Sequence, residues 1–318
     1  MTAQPPTPPG DRTAPVVISA VIVTWNSREV ALNCLASLEA NGPSVPWEVI
    51  VVDNGSRDGS VDAIRRAAPW ARVIANPTNR GLPAANNQGM LAARGEHFLI
   101  SNPDVIWHPG AVDAMYDVLG RHPRAAWIIP RILYEDGTPQ TSAGRLPNLA
   151  EALAGRQLER WRPRKEAASG QWFDEWAHDE ERAVPRGGEA GYLVRRAAVE
   201  EIGLQDERYK LDWEGLDWTA RLRDAGWEVW LSPMSEAIHL GGASIRQVRF
   251  RSIVSSHRGM YLYFADRRPP AAKPVLASII AVRAAAKLLA AATGLPMYQL
   301  AYRPPVQPAR VTSPGPPS

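Results

Sequence analysis

The chain has 318 residues, 45% of them hydrophobic and 22% charged, which is enough to bury a substantial core in one large or two modest domains. Its one cysteine, Cys34, excludes an internal disulfide framework and a thiolate zinc site, and fits a small buried apolar residue better than a nucleophile. The net charge of +3 is unevenly placed: residues 246–303 hold ten Lys/Arg against one acid, so that stretch carries +9 and the remainder −6. Such asymmetry points to a polyanionic partner, whether an anionic membrane surface, a lipid diphosphate or nucleic acid.

Residues 1–14 and 304–318 are rich in Pro, Thr and Ser and read as disordered tails. The N-terminal segment lacks the apolar core of a signal peptide, and no span qualifies as a transmembrane helix. Residues 16–23 are a continuous β-branched run, as in a strand buried on both faces. Ser27 is placed to cap the next helix, whose apolar positions Val30, Leu32, Leu35 and Leu38 recur at helical spacing until Gly42-Pro43. Strands follow at 47–52, 73–75, 97–101 and 126–129, with helices at 61–67, 84–94 and 111–119 between them. This alternation predicts a parallel sheet with helices on both faces.

From residue 145 to 188 the pattern loosens into a polar stretch holding Trp161, Trp172 and Trp176, which reads either as a lid or acceptor loop or as poorly ordered chain. Order returns with a strand at 190–194, helices at 197–202 and 217–225, and a strand at 227–231. Residues 274–295 are apolar and helical in composition, with Arg283 and Lys287 one turn apart. Val275, Ile279, Val282, Ala286 and Leu289 share one face there, which is either core or the buried side of a helix lying in a membrane interface with its cations snorkelling outward.

The chemistry is carried by four pieces in fixed order. Asp53 ends the run Val49-Ile50-Val51-Val52, and Asn102-Pro103-Asp104 follows the strand at 97–101. Trp213-Glu214-Gly215-Leu216-Asp217 opens a helix, and His239-Leu240-Gly241-Gly242 closes the set. Acids where strands stop and loops open lie on the edge of an α/β sheet that binds ligands. They suit a nucleotide, a divalent cation on its diphosphate, and a base for an incoming group. A nicotinamide-dependent enzyme is disfavoured, because Thr24-Trp25-Asn26-Ser27 stands where a Gly-rich pyrophosphate turn belongs. No nucleic-acid-binding motif accompanies the basic segment, so no nucleic-acid partner is expected.

Together with Val21-Ile22-Val23-Thr24-Trp25-Asn26-Ser27, Asn86-Asn87-Gln88-Gly89 and Asp206-Glu207-Arg208-Tyr209, the ordered set resembles the inverting family 2 glycosyltransferases, most closely their rhamnosyltransferase-like branch, over residues 16–245. The resemblance implies a GT-A fold: a mostly parallel, Rossmann-like sheet with helices on both faces. A nucleotide-sugar-binding half at 15–130 and an acceptor-binding half at 131–245 would precede a basic helical extension at 246–303. It implies a nucleoside-diphosphate sugar donor, dTDP-rhamnose in that branch, a glycan or polyprenyl-linked acceptor, and a place in the cytoplasm or on the inner face of the cell membrane.

Residue by residue, Asp53 would accept a hydrogen bond from the base, a role suited to an acceptor-only group, with Thr24 and Asn26 beside it. The other reading of Asp53 is a turn residue in Asp-Asn-Gly-Ser. Asn79, Arg80 and Gly81 would approach the nucleotide, and Asn86 and Asn87, poor helix formers inside a helix, would contact the ligand. Asp104 and His239 would hold Mg²⁺ or Mn²⁺, with Asn102 alongside. Glu214 would be the general base and Asp217 would assist, or would cap its helix. Two departures stand out. Relatives carry aromatic-Glu-Asp-x-Asp, so Gly215 has replaced an acid, and Glu189 stands where they have a small residue. The alternative is therefore a nucleotide-sugar-binding relative with a degenerate base site and no catalysis.

Overall fold

The computed structural model describes residues 15–154, 176–210, 212–241 and 249–293. The two tails, Trp161, Trp172 and Gly242 lie outside the described residues. The strands are β1 (Ile18–Thr24), β2 (Trp47–Asp53), β3 (Arg72–Ala75), β4 (His97–Ser101), β5 (Val105–Trp107), β6 (Ala125–Leu133), β7 (Pro139–Gln140), β8 (Ala143–Gly144), β9 (Arg182–Val184), β10 (Arg186–Gly187), β11 (Gly191–Arg195) and β12 (Glu228–His239). Eight of them form one continuous path in the order β3-β2-β1-β4-β11-β6-β12-β5. β1 to β4 pair in parallel, β11 runs antiparallel between β4 and β6, and β12 is parallel to β6. Every residue of β1 and β4 is buried, which is why both read as runs rather than alternations.

Helices α1 (Arg28–Asn41), α2 (Ser60–Ala67), α3 (Leu82–Ala92) and α4 (Ala111–Arg121) return the chain between strands. α5 (Leu149–Ala154), α6 (Arg196–Ile202), α7 (Glu214–Asp224), α8 (Arg249–Asp266) and α9 (Lys273–Thr293) follow. Alternate residues of β1 serve the two faces. Ile18, Ala20 and Ile22 pack with Cys34, Leu35 and Leu38 of α1, while Val21 and Val23 share a core with Ala85 and Met90 of α3. α3 comes so close to β1 that a Cβ on Gly89 would overlap the Val21 side chain. On the α3 face Trp127 stacks on Tyr192 at 4.1 Å and meets Trp218 edge-on at 5.6 Å, pairs that contribute about 0.5–1.5 kcal/mol each beyond area burial.

Several expectations are corrected. Ser27 does not cap α1; its Oγ lies 3.1 Å from Thr24 Oγ1. α7 begins at Glu214 rather than residue 217, so Asp217 sits inside the first turn and is not an N-cap. β12 continues to His239 instead of stopping at 231, with a register shift between Ser232 and Glu236 that lets it re-pair with β6. That extension delivers His239 to the site.

The basic extension contributes helices α8 and α9, which pack on each other and on α7 around Tyr263, Phe264, Leu276 and Ile280. The face bearing Val275, Ile279, Val282 and Leu289 is exposed, so the core alternative for it is overturned. The expectation that no span is fit to cross a membrane is also overturned. Residues 270–293, which contain an 18-residue window of mean hydropathy 1.9, are long and apolar enough by length and composition. Arg283 does not interrupt this outer face, because it turns inward to donate to Leu153 O (2.7 Å) and reach His257 Nε2 (2.6 Å).

Candidate active site

The register of the parallel strands brings the site together. Thr24 sits opposite Asp53 at the carboxyl ends of β1 and β2, and Ser101 at the end of β4 pairs with Ile22 one strand over. Asn102 donates its backbone N–H to Ala190 O (2.8 Å), tying the start of Asn102-Pro103-Asp104 to the chain entering β11. The sequence motifs separated by more than a hundred residues thus open on one sheet edge.

At the β1–β2 end, Asp53 is 1% exposed. Its Oδ2 accepts from the backbone N–H of Gly55 (3.2 Å) and Ser56 (2.9 Å), so the turn reading is correct. Its Oδ1 is buried and has no partner among the described residues. A buried acceptor left unmatched costs about 1–3 kcal/mol or more, and a ligand N–H there would remove that cost. The same carboxylate can therefore build the turn and read a base.

Asn54, which the sequence reading passed over, organises this corner. It donates through Nδ2 to Asn79 Oδ1 (3.1 Å) and Gly81 O (3.2 Å), and its Oδ1 accepts from the Arg80 backbone N–H (2.9 Å). The side chain of Asn79 turns back on the Gly81 N–H (2.9 Å). Asn26, at φ 47°, braces the facing loop by accepting from the Arg57 N–H and donating its own N–H to Ser56 Oγ, both at 2.8 Å. The only signal available for Asn54 was its place in the Asp-Asn-Gly-Ser turn.

Asn86 and Asn87 have protein partners. Asn86 Nδ2 donates to Gln205 Oε1 (3.0 Å); Asn87 donates to Gln205 O (2.8 Å) and accepts from the Gln205 N–H (3.0 Å). These bonds clamp α3 to the segment before α7 and explain two asparagines inside a helix without a ligand.

Asp104 and His239 meet across the edge with Oδ1 to Nε2 at 3.4 Å, both largely buried. Gln140 Oε1 lies 2.8 Å from His239 Nδ1. The contact holds the ring with Nε2 turned toward the Asp104 carboxylate, a nitrogen and an oxygen that a divalent cation could share. Neighbouring ligands on a six-coordinate ion with bonds of about 2.1 Å lie about 3 Å apart, so the pair fits a divalent metal. Among the described residues no group of three or more His, Cys, Asp or Glu could hold a metal, so an ion at this pair would need oxygens from substrate and water to complete its shell.

The third group is the acid cluster at the start of α7. Asp212 and Trp213 carry φ of 64° and 72°, two consecutive left-handed residues without glycine, a costly turn. Trp213 holds it by packing on Tyr263 and Phe264, at 5.5 and 5.8 Å between ring centroids. Glu214 is 2% exposed and its Oε2 has no partner among the described residues. Burial pushes its carboxyl well above the usual range, with the Glu189 and Asp212 carboxylates adding to the shift. Burial raises Glu189 as well, opposed by the Arg186 guanidinium. Asp217 differs: Arg221 Nε and Arg267 Nη2 bind its two oxygens at 2.9 and 3.1 Å.

Beside these groups a cavity of about 180 Å³ is lined by Gln140, Thr141, Ser142, Glu189 and His239, among others. It places Glu189 and His239 on one cavity wall. One edge thus gathers the unmatched Asp53 oxygen, the Asp104–His239 pair and a cavity with Glu189 in its lining.

The family model for glycosyl transferase family 2 matches residues 19–179. Over 268 residues the chain is 31% identical to N-acetylglucosaminyl-diphospho-decaprenol L-rhamnosyltransferase of Mycobacterium tuberculosis, covering 79% of this chain and 85% of that protein. Among solved structures it resembles the mannosyltransferase PcManGT from Pyrobaculum calidifontis in complex with GDP-Man and Mn²⁺, with TM-score 0.54 and 19% identity over 91% of this chain and 78% of the other. It also resembles GalNAc-T7 with UDP, GalNAc and Mn²⁺, with TM-score 0.53 and 16% identity over 72% of this chain but 44% of that one. Both likenesses are of fold, the GT-A fold expected above. The chain belongs to glycosyl transferase family 2 and is a glycosyltransferase.

Proposed function

We propose that the protein transfers a sugar, rhamnose from dTDP-rhamnose in the first instance, to a polyprenyl-diphosphate-linked acceptor in cell-envelope glycan synthesis, with inversion at the anomeric carbon. The observation that carries this reading is the convergence of Asp53, with its unmatched Oδ1, and the Asp104–His239 pair on one sheet edge. Asp53 and the loop knotted by Asn54 would hold the nucleoside, and the backbone of Arg80 and Gly81 would border its phosphates. Asp104 and His239 would hold Mg²⁺ or Mn²⁺, and a bound divalent ion supplies charge stabilisation to the departing diphosphate. A carboxylate from the Glu189–Glu214 cluster would take the acceptor proton. The mixed carboxylate–imidazole donor set favours Mn²⁺ over Mg²⁺.

The lipid-linked acceptor is supported by the name of the mycobacterial relative and by the outer face of α9. Val275, Val282 and Leu289 are each more than 60% exposed there, in a segment of strongly positive charge. Such a face suits the surface of an anionic membrane, where the acceptor lipid would reside.

The test is a thermal-shift screen of nucleotide sugars with and without Mn²⁺. dTDP-rhamnose with Mn²⁺ is expected to raise the melting temperature more than either alone, and Asp53→Ala to remove most of that shift. A wild-type protein that no nucleotide sugar stabilises, with Mn²⁺ present, would sink the proposal.

A further inference from the structure

Gly215 and Glu189, the two positions at which the chain departs from the pattern of the family it resembles, are in contact. A Cβ built on Gly215 would lie under 3.0 Å from the carboxyl carbon and both oxygens of Glu189. The Glu189 carboxylate therefore fills the volume into which a side chain at 215 would grow, and the Gly215 N–H donates to it. Glu189 comes from elsewhere, the short link between β10 and β11, which is pinned by the Gly188 N–H to Ser142 O (2.6 Å) and by Asn102 to Ala190 O. With no side chain at Gly215, a carboxylate from this link occupies the space beside α7.

We infer that Glu189 is the general base of this enzyme, replacing in space the acid absent at position 215, and that Glu214 is a buried supporting group. The inference rests on the glycosyltransferase reading above and assigns a role within it. Three observations carry it. Glu189 lines the cavity that His239 also lines, and its side chain is 28% exposed. A base must reach the acceptor hydroxyl within hydrogen-bond range. Glu214 is 2% exposed and is not among the residues that line that cavity. Both oxygens of Asp217 are engaged by arginines that fasten α7 to its neighbours. In the step itself the acceptor O–H proton passes to a Glu189 oxygen as the acceptor oxygen bonds to the anomeric carbon. The anomeric carbon–oxygen bond breaks, and its electron pair leaves with the nucleoside diphosphate.

The geometry also makes a reciprocal demand. Gly215→Asp alone must collide with Glu189, whereas Glu189→Gly with Gly215→Asp returns the carboxylate to α7. The assay uses dTDP-rhamnose, Mn²⁺ and N-acetylglucosaminyl-diphospho-polyprenol, with binding of dTDP and Mn²⁺ followed separately by thermal shift. Glu189→Gln is expected to lower kcat at least 100-fold while leaving the dTDP shift and the melting temperature of the free protein near wild type. Glu189→Gly is expected to be equally inactive, and the double variant to recover at least 10-fold over it. Glu189→Gln within 2-fold of wild type, or a double variant no better than Glu189→Gly, would overturn the assignment while leaving an active wild-type enzyme. A wild type that binds and transfers from no nucleotide sugar overturns the functional reading, and this inference with it.

Discussion

Asp104 and His239 are 135 positions apart in the chain, yet their Oδ1 and Nε2 atoms stand 3.4 Å from each other, with Gln140 Oε1 2.8 Å from the histidine's Nδ1. Asp104→Ala is expected to abolish Mn²⁺-stimulated donor binding and turnover with the protein still folded. Gln140→Leu, which touches no ligand itself, is expected to weaken Mn²⁺ by roughly 10-fold, because outer partners of ligating histidines matter on that scale. Titration calorimetry of Mn²⁺ in the presence of dTDP reads both, and Mn²⁺ affinities equal to wild type would remove the metal assignment.

Arg267 ties α8 to α7 through Asp217 (3.1 Å), donates to Tyr263 O (2.9 Å) and lies over the Tyr263 ring at 4.1 Å. Arg267→Ala is expected to destabilise the fold by about 1–2 kcal/mol, the scale of a hydrogen bond to a charged group with partial solvent screening. Urea unfolding should show a lower midpoint at unchanged slope. A midpoint like that of wild type would mean that α8 is not coupled to α7 through this pair.

His97 begins β4 in a buried setting against the Tyr116 ring, and burial, reinforced by Arg195, holds its pKa down to about 4. Since its folded pKa is depressed, the folded state keeps the ring neutral while the unfolded chain takes up a proton near pH 6.5. Stability from this residue is intact above that pH and is lost as pH falls towards 4. The loss between pH 7 and pH 5 is about 2 kcal/mol. His97→Phe should flatten that part of the stability curve in urea titrations; an unaltered slope would dismiss the residue as the cause.

Cys34 lies fully buried under the sheet, and burial pushes its thiol up to about 12. Alkylation by iodoacetamide at pH 8 is expected only in denaturant, as followed by intact mass. Rapid labelling of the native protein would contradict the packing of α1 on β1.

The sequence by itself determined the parallel strands of the sheet's first half and put Asp53 and Asp104 at their ends, but not the antiparallel β11 between β4 and β6. Strands buried on both faces must be apolar runs, and runs such as Ile18–Thr24 and Trp47–Asp53 are legible without coordinates because the signal is local. The same locality placed Asp53 and Asp104 at strand ends. Helix ends were less legible: α7 begins at Glu214 because Trp213 is held left-handed by Tyr263 and Phe264, residues fifty positions away. The outward turn of Val282 and the inward turn of Arg283 likewise depend on what α8 offers, which periodicity along α9 does not record. Only the tertiary structure decided which carboxylates are reachable. Glu214, Asp217 and Glu189 are equivalent as letters, but burial, two arginines and a missing side chain at Gly215 give each a different environment. Acid–base chemistry depends on solvent, neighbours and reach, and those are properties of chain segments brought together from a distance.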